Sequence, residues 1–134
     1  MLLEIDHHSG VPIYRQIKDQ VREQIMAGRL KEGEQLVSVR ELAEKLKVTP
    51  VTVSKAYSAM EAEGLLERRR GIGLFIAEIH SDKKDQTKED IIKAIMSKAV
   101  TTAIQFELSQ EKTEKILKDL FLKFRKKAKE KSNE

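Results

Sequence analysis

The sequence predicts a mainly α fold with one small β-hairpin, built as an N-terminal winged unit followed by a two-helix tail. Three observations carry this prediction. Apolar residues recur at helical spacing in five separate stretches. Two short β-like runs around a glycine-bearing loop, 65–68 and 74–77, interrupt the helices once. The 134 residues, 40% apolar and 36% charged, suit one domain plus an appendage.

Residues 1–12 read as extended, because Val11 precedes Pro12 and the residue before proline avoids the helical region. Ile13 to Ala27 reads as a helix, with Tyr14, Ile17, Val21 and Ile25 on its inner face and Arg15, Lys18, Asp19, Arg22 and Glu23 outside. Gly28 is the left-handed stop. Lys31–Glu34 is a turn, and Gln35–Val37 is a short extended approach to the next helix.

The stretch SVRELAEKLKVTPVTVSKAYSAMEAEG, residues 38–64, organises the rest. Ser38 and Glu41 form a capping box, in which the serine takes a first-turn N–H and the glutamate reaches back. Leu42, Ala43 and Leu46 then share a face, and Lys47-Val48 turns the chain. Thr49 caps a second helix with Pro50 at its first position, where the missing N–H costs nothing. Val53, Ala56, Tyr57 and Met60 point inward, and Gly64 ends the helix. Two short helices joined this tightly match the helix-turn-helix geometry, which places its second helix in a DNA major groove. A plain helical hairpin is the alternative, and the outer face argues against it. Thr49, Val51, Thr52, Ser54, Lys55 and Ser58 offer short hydroxyls, one apolar group and one cation instead of Glu–Lys pairs. Such side chains suit close approach to phosphates and base edges.

The hairpin that follows reads as a wing. Its loop region carries Arg68, Arg69 and Arg70, which are placed to meet phosphates or enter a minor groove, and Gly71 and Gly73, which let the backbone come close. Adjacent arginines are ordinarily solvated; their place directly after the second helix is what points to DNA.

Residues 1–79 are thus expected to form the winged helix-turn-helix domain, residues 80–86 (HSDKKDQ) a polar linker, and residues 87–134 a helical hairpin. Thr87 and Asp90 read as the capped start of its first helix, with Ile91, Ile92, Ile95, Met96, Ala99, Val100, Ala103 and Ile104 as a wide apolar stripe. Ser109 caps the second, whose stripe is Ile116, Leu117, Leu120, Phe121 and Phe124. So short a tail buries two apolar faces poorly by itself, so pairing with a second copy is expected and folding back is the alternative. A two-fold protein suits a palindromic operator. The terminal run Lys123, Arg125, Lys126, Lys127, Lys129 and Lys131 reads as a solvated helix end complementing the dipole.

Composition narrows the function further. There is no cysteine, no apolar run of membrane-spanning length and no secretory start, so a cytoplasmic protein is expected. The net charge of +4 lies wholly in the tail: residues 1–78 hold 12 Lys+Arg against 12 Asp+Glu, and residues 79–134 hold 14 against 10. A DNA surface on the first part must therefore arise from local placement of charge. His7-His8 beside Asp6 is too contiguous for one metal, and Gly71-Ile72-Gly73 lacks the rest of a nucleotide fingerprint. No catalytic residue, cofactor or metal is expected. A protein-interaction module working through the tail is the remaining rival.

With these pieces in order, the sequence resembles the GntR superfamily of bacterial transcription regulators. The match runs from Pro12 to about Ile76 through PIYRQI, GRLKEGEQL, SVRELAEKLKVTPVTVSKAY and EGLLERRRGIGLFI. The short tail is similar to the YtrA-type subfamily. The resemblance implies a DNA-binding regulator, more often a repressor, with DNA contacts at Arg40, Thr49, Thr52, Arg70 and Gly71 and control of a neighbouring transporter operon. Pro50 and Ser54 stand where many members carry arginines, and Val51 where many carry a polar residue; Lys55 partly substitutes for them. The operator and any small-molecule effector are not readable from the sequence.

Overall fold

The apolar positions of the first three helices converge on one core. The computed structural model describes residues 1–132 and places α1 at Ile13–Met26, α2 at Val39–Leu46 and α3 at Pro50–Ala62. Ile17, Val21 and Ile25 recur every four residues on α1 and are buried. They meet Leu42 and Ala43 of α2 and Val53, Ala56, Tyr57 and Met60 of α3. The third helix is the hub, since it packs on α1, on α2 and on the first strand. Each fully buried aliphatic side chain here contributes about 1.5–3 kcal/mol.

Strands β1 (Leu66–Arg69) and β2 (Gly73–Ile76) pair antiparallel, with Leu66 opposite Ile76 and Arg69 opposite Gly73. Leu66, Leu74 and Ile76 close the core from below. The approach to α2 lies along the other edge of β2: Leu36 N donates to Leu74 O at 2.9 Å, and Ile76 N donates to Glu34 O at 2.8 Å. β2 is thereby hydrogen-bonded along both of its edges, to β1 and to the approach to α2.

Helices α1, α2 and α3 each close on a residue of positive φ. Gly28 (77°) follows α1, Lys47 (56°) follows α2 and Gly64 (81°) follows α3. In each case the next N–H reaches back five residues, as in Val48 N to Ala43 O at 3.0 Å. At the other ends, Ser38 Oγ accepts from Glu41 N at 3.2 Å and Thr49 Oγ1 accepts from Thr52 N at 3.3 Å. The return bond from the Glu41 side chain to Ser38 is not among those of the described residues, so the predicted capping box is half formed.

Tyr57 joins α3 to the approach strand, its hydroxyl donating to Val37 O at 2.9 Å. Burial, and then the nearby Glu41 carboxylate, push this phenol far above its ordinary pKa of 10.0. The folded protein therefore keeps a proton that the unfolded chain releases above about pH 10, so this contribution is complete below that pH and is lost as pH rises beyond it. Tyr57→Phe is expected to cost about 1 kcal/mol at neutral pH and to flatten the alkaline fall in stability. Urea midpoints measured from pH 8 to 11 on both proteins check this.

The N-terminal segment is tied down by a ladder of glutamines. Gln16, Gln20 and Gln24 recur every four residues on α1. Gln24 Nε2 donates to Leu2 O at 2.6 Å, Gln20 exchanges two bonds with the backbone of Glu4, and Gln16 does so with Asp6. Four helical residues rise about 6 Å, close to the two-residue repeat of an extended chain, so the helix and strand stay in step. Leu3 and Ile5, the alternate residues, pack onto the core.

The tail differs from expectation at its start. The predicted linker, residues 80–86, is helical: α4 spans Ser81–Gln105 without a break. Asp82 lies in its first turn, His80 Nδ1 accepts from Asp82 N at 3.4 Å, and no glycine or proline intervenes. Thr87 is accordingly an interior residue whose hydroxyl donates back to Lys83 O at 2.8 Å, and it caps nothing. Glu107, with φ 55°, closes α4, and Ser109 Oγ caps α5 (Gln110–Ser132) by accepting from Lys112 N at 3.2 Å. Residues 1–88 and the residues from Glu89 onward form two units. In the second, the apolar stripes of α4 and α5 are largely unburied; Ile104 is 70% exposed, and Phe106, just beyond the end of α4, is 78% exposed. Between them runs a groove of about 620 Å³ lined by Val100, Ile104, Leu117 and Leu120 among others. Arg125 lies 5.1 Å from the ring centre of Phe121, and Lys123 lies 6.0 Å from that of Phe124.

Candidate nucleic-acid interface

The outward surface of α3 begins with its cap. Thr49 Oγ1 holds Thr52 N, and the two threonine hydroxyls share a hydrogen bond of 3.0 Å. Pro50 at the first position has no N–H to satisfy. Val51, Ser54 and Lys55 are exposed, and Thr52 is half-buried. From Lys45 to Met60 the chain carries no acidic residue, while Lys45, Lys47 and Lys55 supply positive charge. A neutral domain thereby acquires a local surface that does not repel phosphate, and the positive end of the α3 dipole reinforces it.

Lys55 is held by a residue that the sequence assigned only to the core. Its ammonium lies 4.2 Å from the ring centre of Tyr14 on α1. Tyr14 falls on the inner helical stripe but is only half-buried, and the uncovered part of its ring faces this cation. The available signal was an aromatic carrying a polar tip at the edge of the stripe.

The three wing arginines divide into distinct roles. Arg68 forms a bidentate pair with Glu61 of α3, with Nε and a terminal nitrogen each 3.2 Å from a carboxylate oxygen. Arg69 stacks over Phe75, 4.1 Å from its ring centre. Arg70 stands at the tip with neither ion pair nor ring contact among the described residues, and Arg40 on α2 shares this condition. The tip itself is a three-residue turn, Arg70-Gly71-Ile72, closed by Ile72 N to Arg69 O at 3.0 Å. Gly71 has φ 75° and open space where a Cβ would stand. Gly73 has φ 141°, a backbone conformation that side-chain-bearing residues rarely adopt, and a Cβ there would also displace Gln35 Nε2, 2.9 Å away, which donates to Ile72 O at 3.0 Å. Among the described residues no three His, Asp or Glu side chains are grouped to hold a metal ion, and no helix is long and apolar enough to cross a membrane.

A capped helix-turn-helix with no acidic residue from Lys45 to Met60, followed by a hairpin with a basic tip, defines a winged DNA-binding protein. Residues 13–76 match the bacterial regulatory proteins of the gntR family. Over 119 residues the chain is 36% identical to the HTH-type transcriptional repressor YtrA of Bacillus subtilis, covering 89% of this chain and 92% of that protein. Its fold is similar to a GntR family transcriptional regulator from Listeria monocytogenes, with a TM-score of 0.74 and 30% identity over 86% of this chain and 98% of the other. The DNA-binding domain of AraR, solved in complex with operator ORX1, is also similar, with a TM-score of 0.51 and 26% identity over 56% of this chain and 96% of that one. The chain belongs to the GntR family. It is a DNA-binding transcription regulator and not an enzyme.

Proposed function

We propose that the protein is a homodimeric repressor that binds a palindromic operator through α3 and the wing. The observation that carries the DNA contact is the outer surface of α3 from Pro50 to Met60, which holds no acidic residue, with Arg40 and Arg70 holding no intramolecular partner among the described residues. Thr49, Thr52 and Ser54 approach phosphates and base edges, Lys55 is positioned by Tyr14, and Arg70 and Gly71 follow the flanking minor groove or backbone. The exposed apolar stripes of α4 and α5 and the groove between them support pairing of two tails. A two-fold dimer sets its recognition helices about 34 Å apart, in successive major grooves. The repressor named YtrA supports the negative sign of regulation, and the family resemblance supports an operon for a transporter as the target.

Titration of the protein against its own promoter fragment and against random DNA, at two salt concentrations and with sedimentation alongside, tests this reading. Promoter binding by a dimer, orders of magnitude tighter than random DNA, is the expected result. Equal and steeply salt-dependent binding to both would remove the specificity claim. A folded dimer that binds neither would return the tail to the role of an interaction module.

A further inference from the structure

One apolar side chain of α3 is left unused by the fold. Val51 is 77% exposed, whereas Val53, Ala56 and Met60 of the same helix are fully buried. A β-branched residue at an unpacked helical position costs a little helix propensity and gains nothing within the chain. Single exposed valines are common, so the surroundings matter more than the exposure. The groups beside Val51 that could donate to a base edge are mostly engaged. The Thr49 and Thr52 hydroxyls bond each other, Lys55 lies over Tyr14, and Pro50 has no N–H. Ser54 is the one exposed hydroxyl beside Val51 without a hydrogen bond among the described residues, so the first turn of α3 presents mainly methyl and methylene groups there. In the major groove the apolar feature that a base pair displays is the thymine C5-methyl group.

We propose that Val51 reads a thymine methyl group in each operator half-site and is a specificity-determining residue of this regulator. The proposal rests on the reading of α3 as the recognition helix. It assigns to the half-site a thymine at the step facing the start of α3, recognised by apolar contact and not by a long hydrogen-bonding side chain.

The test begins by selecting binding sites from a random duplex library with the full chain. The selected duplex is then resynthesised with deoxyuridine replacing thymidine, one position at a time. This removes the methyl group and leaves every hydrogen-bonding atom in place. One position per half-site is expected to respond, with affinity falling about fourfold for a single replacement and roughly fifteenfold when both half-sites are changed. Val51→Ala is expected to reduce the uracil penalty at that position, because the shorter side chain withdraws from the thymine methyl, with an unchanged melting temperature, because alanine suits the helix and the side chain is exposed. Absence of any uracil-sensitive position in a duplex the protein selects would overturn the proposal. So would a Val51→Ala protein that keeps the full uracil penalty. Both results leave the recognition reading standing, whereas a selection that enriches no sequence overturns that reading and the proposal together.

Discussion

If the tails pair as proposed, Ile95→Glu combined with Phe121→Glu is expected to turn the proposed dimer into monomers and to weaken operator binding about a hundredfold or more. Both side chains are more than half exposed within the chain, so little intramolecular packing is lost. Glutamate is a good helix former, so α4 and α5 should persist. What the substitutions remove is burial on a partner, because two carboxylates per chain cannot be taken into an apolar interface without a counter-charge. The loss of DNA affinity follows from valency. A dimer bound at one half-site presents its second reading head at high effective concentration, and a monomer must bind each half-site afresh. Sedimentation velocity, circular dichroism and operator titration on the double variant check the three steps separately. A variant that stays dimeric with full affinity would place the interface elsewhere.

The first unit was legible because its signals are local and agree with one another. Ser38, Thr49 and Pro50 mark helix starts, Gly28 and Gly64 mark stops, and the buried stripes between them follow the helical period. The wing strands were displaced by one residue, 65–68 becoming Leu66–Arg69, because edge pairing is set by the register against β2 and not by composition. Residues 80–86 misled for a different reason. A polar stretch without apolar period reads as a loop, yet nothing in SDKKDQ breaks a helix, and the acid in its first turn favours one. The glutamine ladder was visible as a four-residue repeat. Its meaning appears only when the extended N-terminus lies beside it, with its two-residue period.

The candidate interface was legible as a set of positions but not as a set of states. Arg68, Arg69 and Arg70 are equivalent in a sequence. In a strand, neighbours alternate sides, so Arg68 turns to Glu61 and Arg69 to Phe75, and the turn leaves Arg70 at the tip. Lys55 and Tyr14 lie 41 positions apart, and no local pattern announces their contact. These partners decide which cations reach DNA without first giving something up.

That distinction yields a graded expectation. Arg70→Ala and Arg40→Ala should each weaken DNA binding about tenfold at physiological salt and lower the slope of log affinity against log salt by about one. Neither side chain has a partner to lose among the described residues, so thermal stability should hold. Arg68→Ala should lower affinity less than about threefold, since transfer of this guanidinium to a phosphate must break its two bonds to Glu61. Its effect on stability should also be small, because the pair is well exposed and such pairs are worth about 0–1 kcal/mol. Affinities of the three variants between 50 and 200 mM salt separate the cases. If Arg68→Ala matched Arg70→Ala in both affinity and slope, Glu61 would be a partner that Arg68 leaves on binding, and Glu61→Gln should then strengthen DNA binding by freeing it.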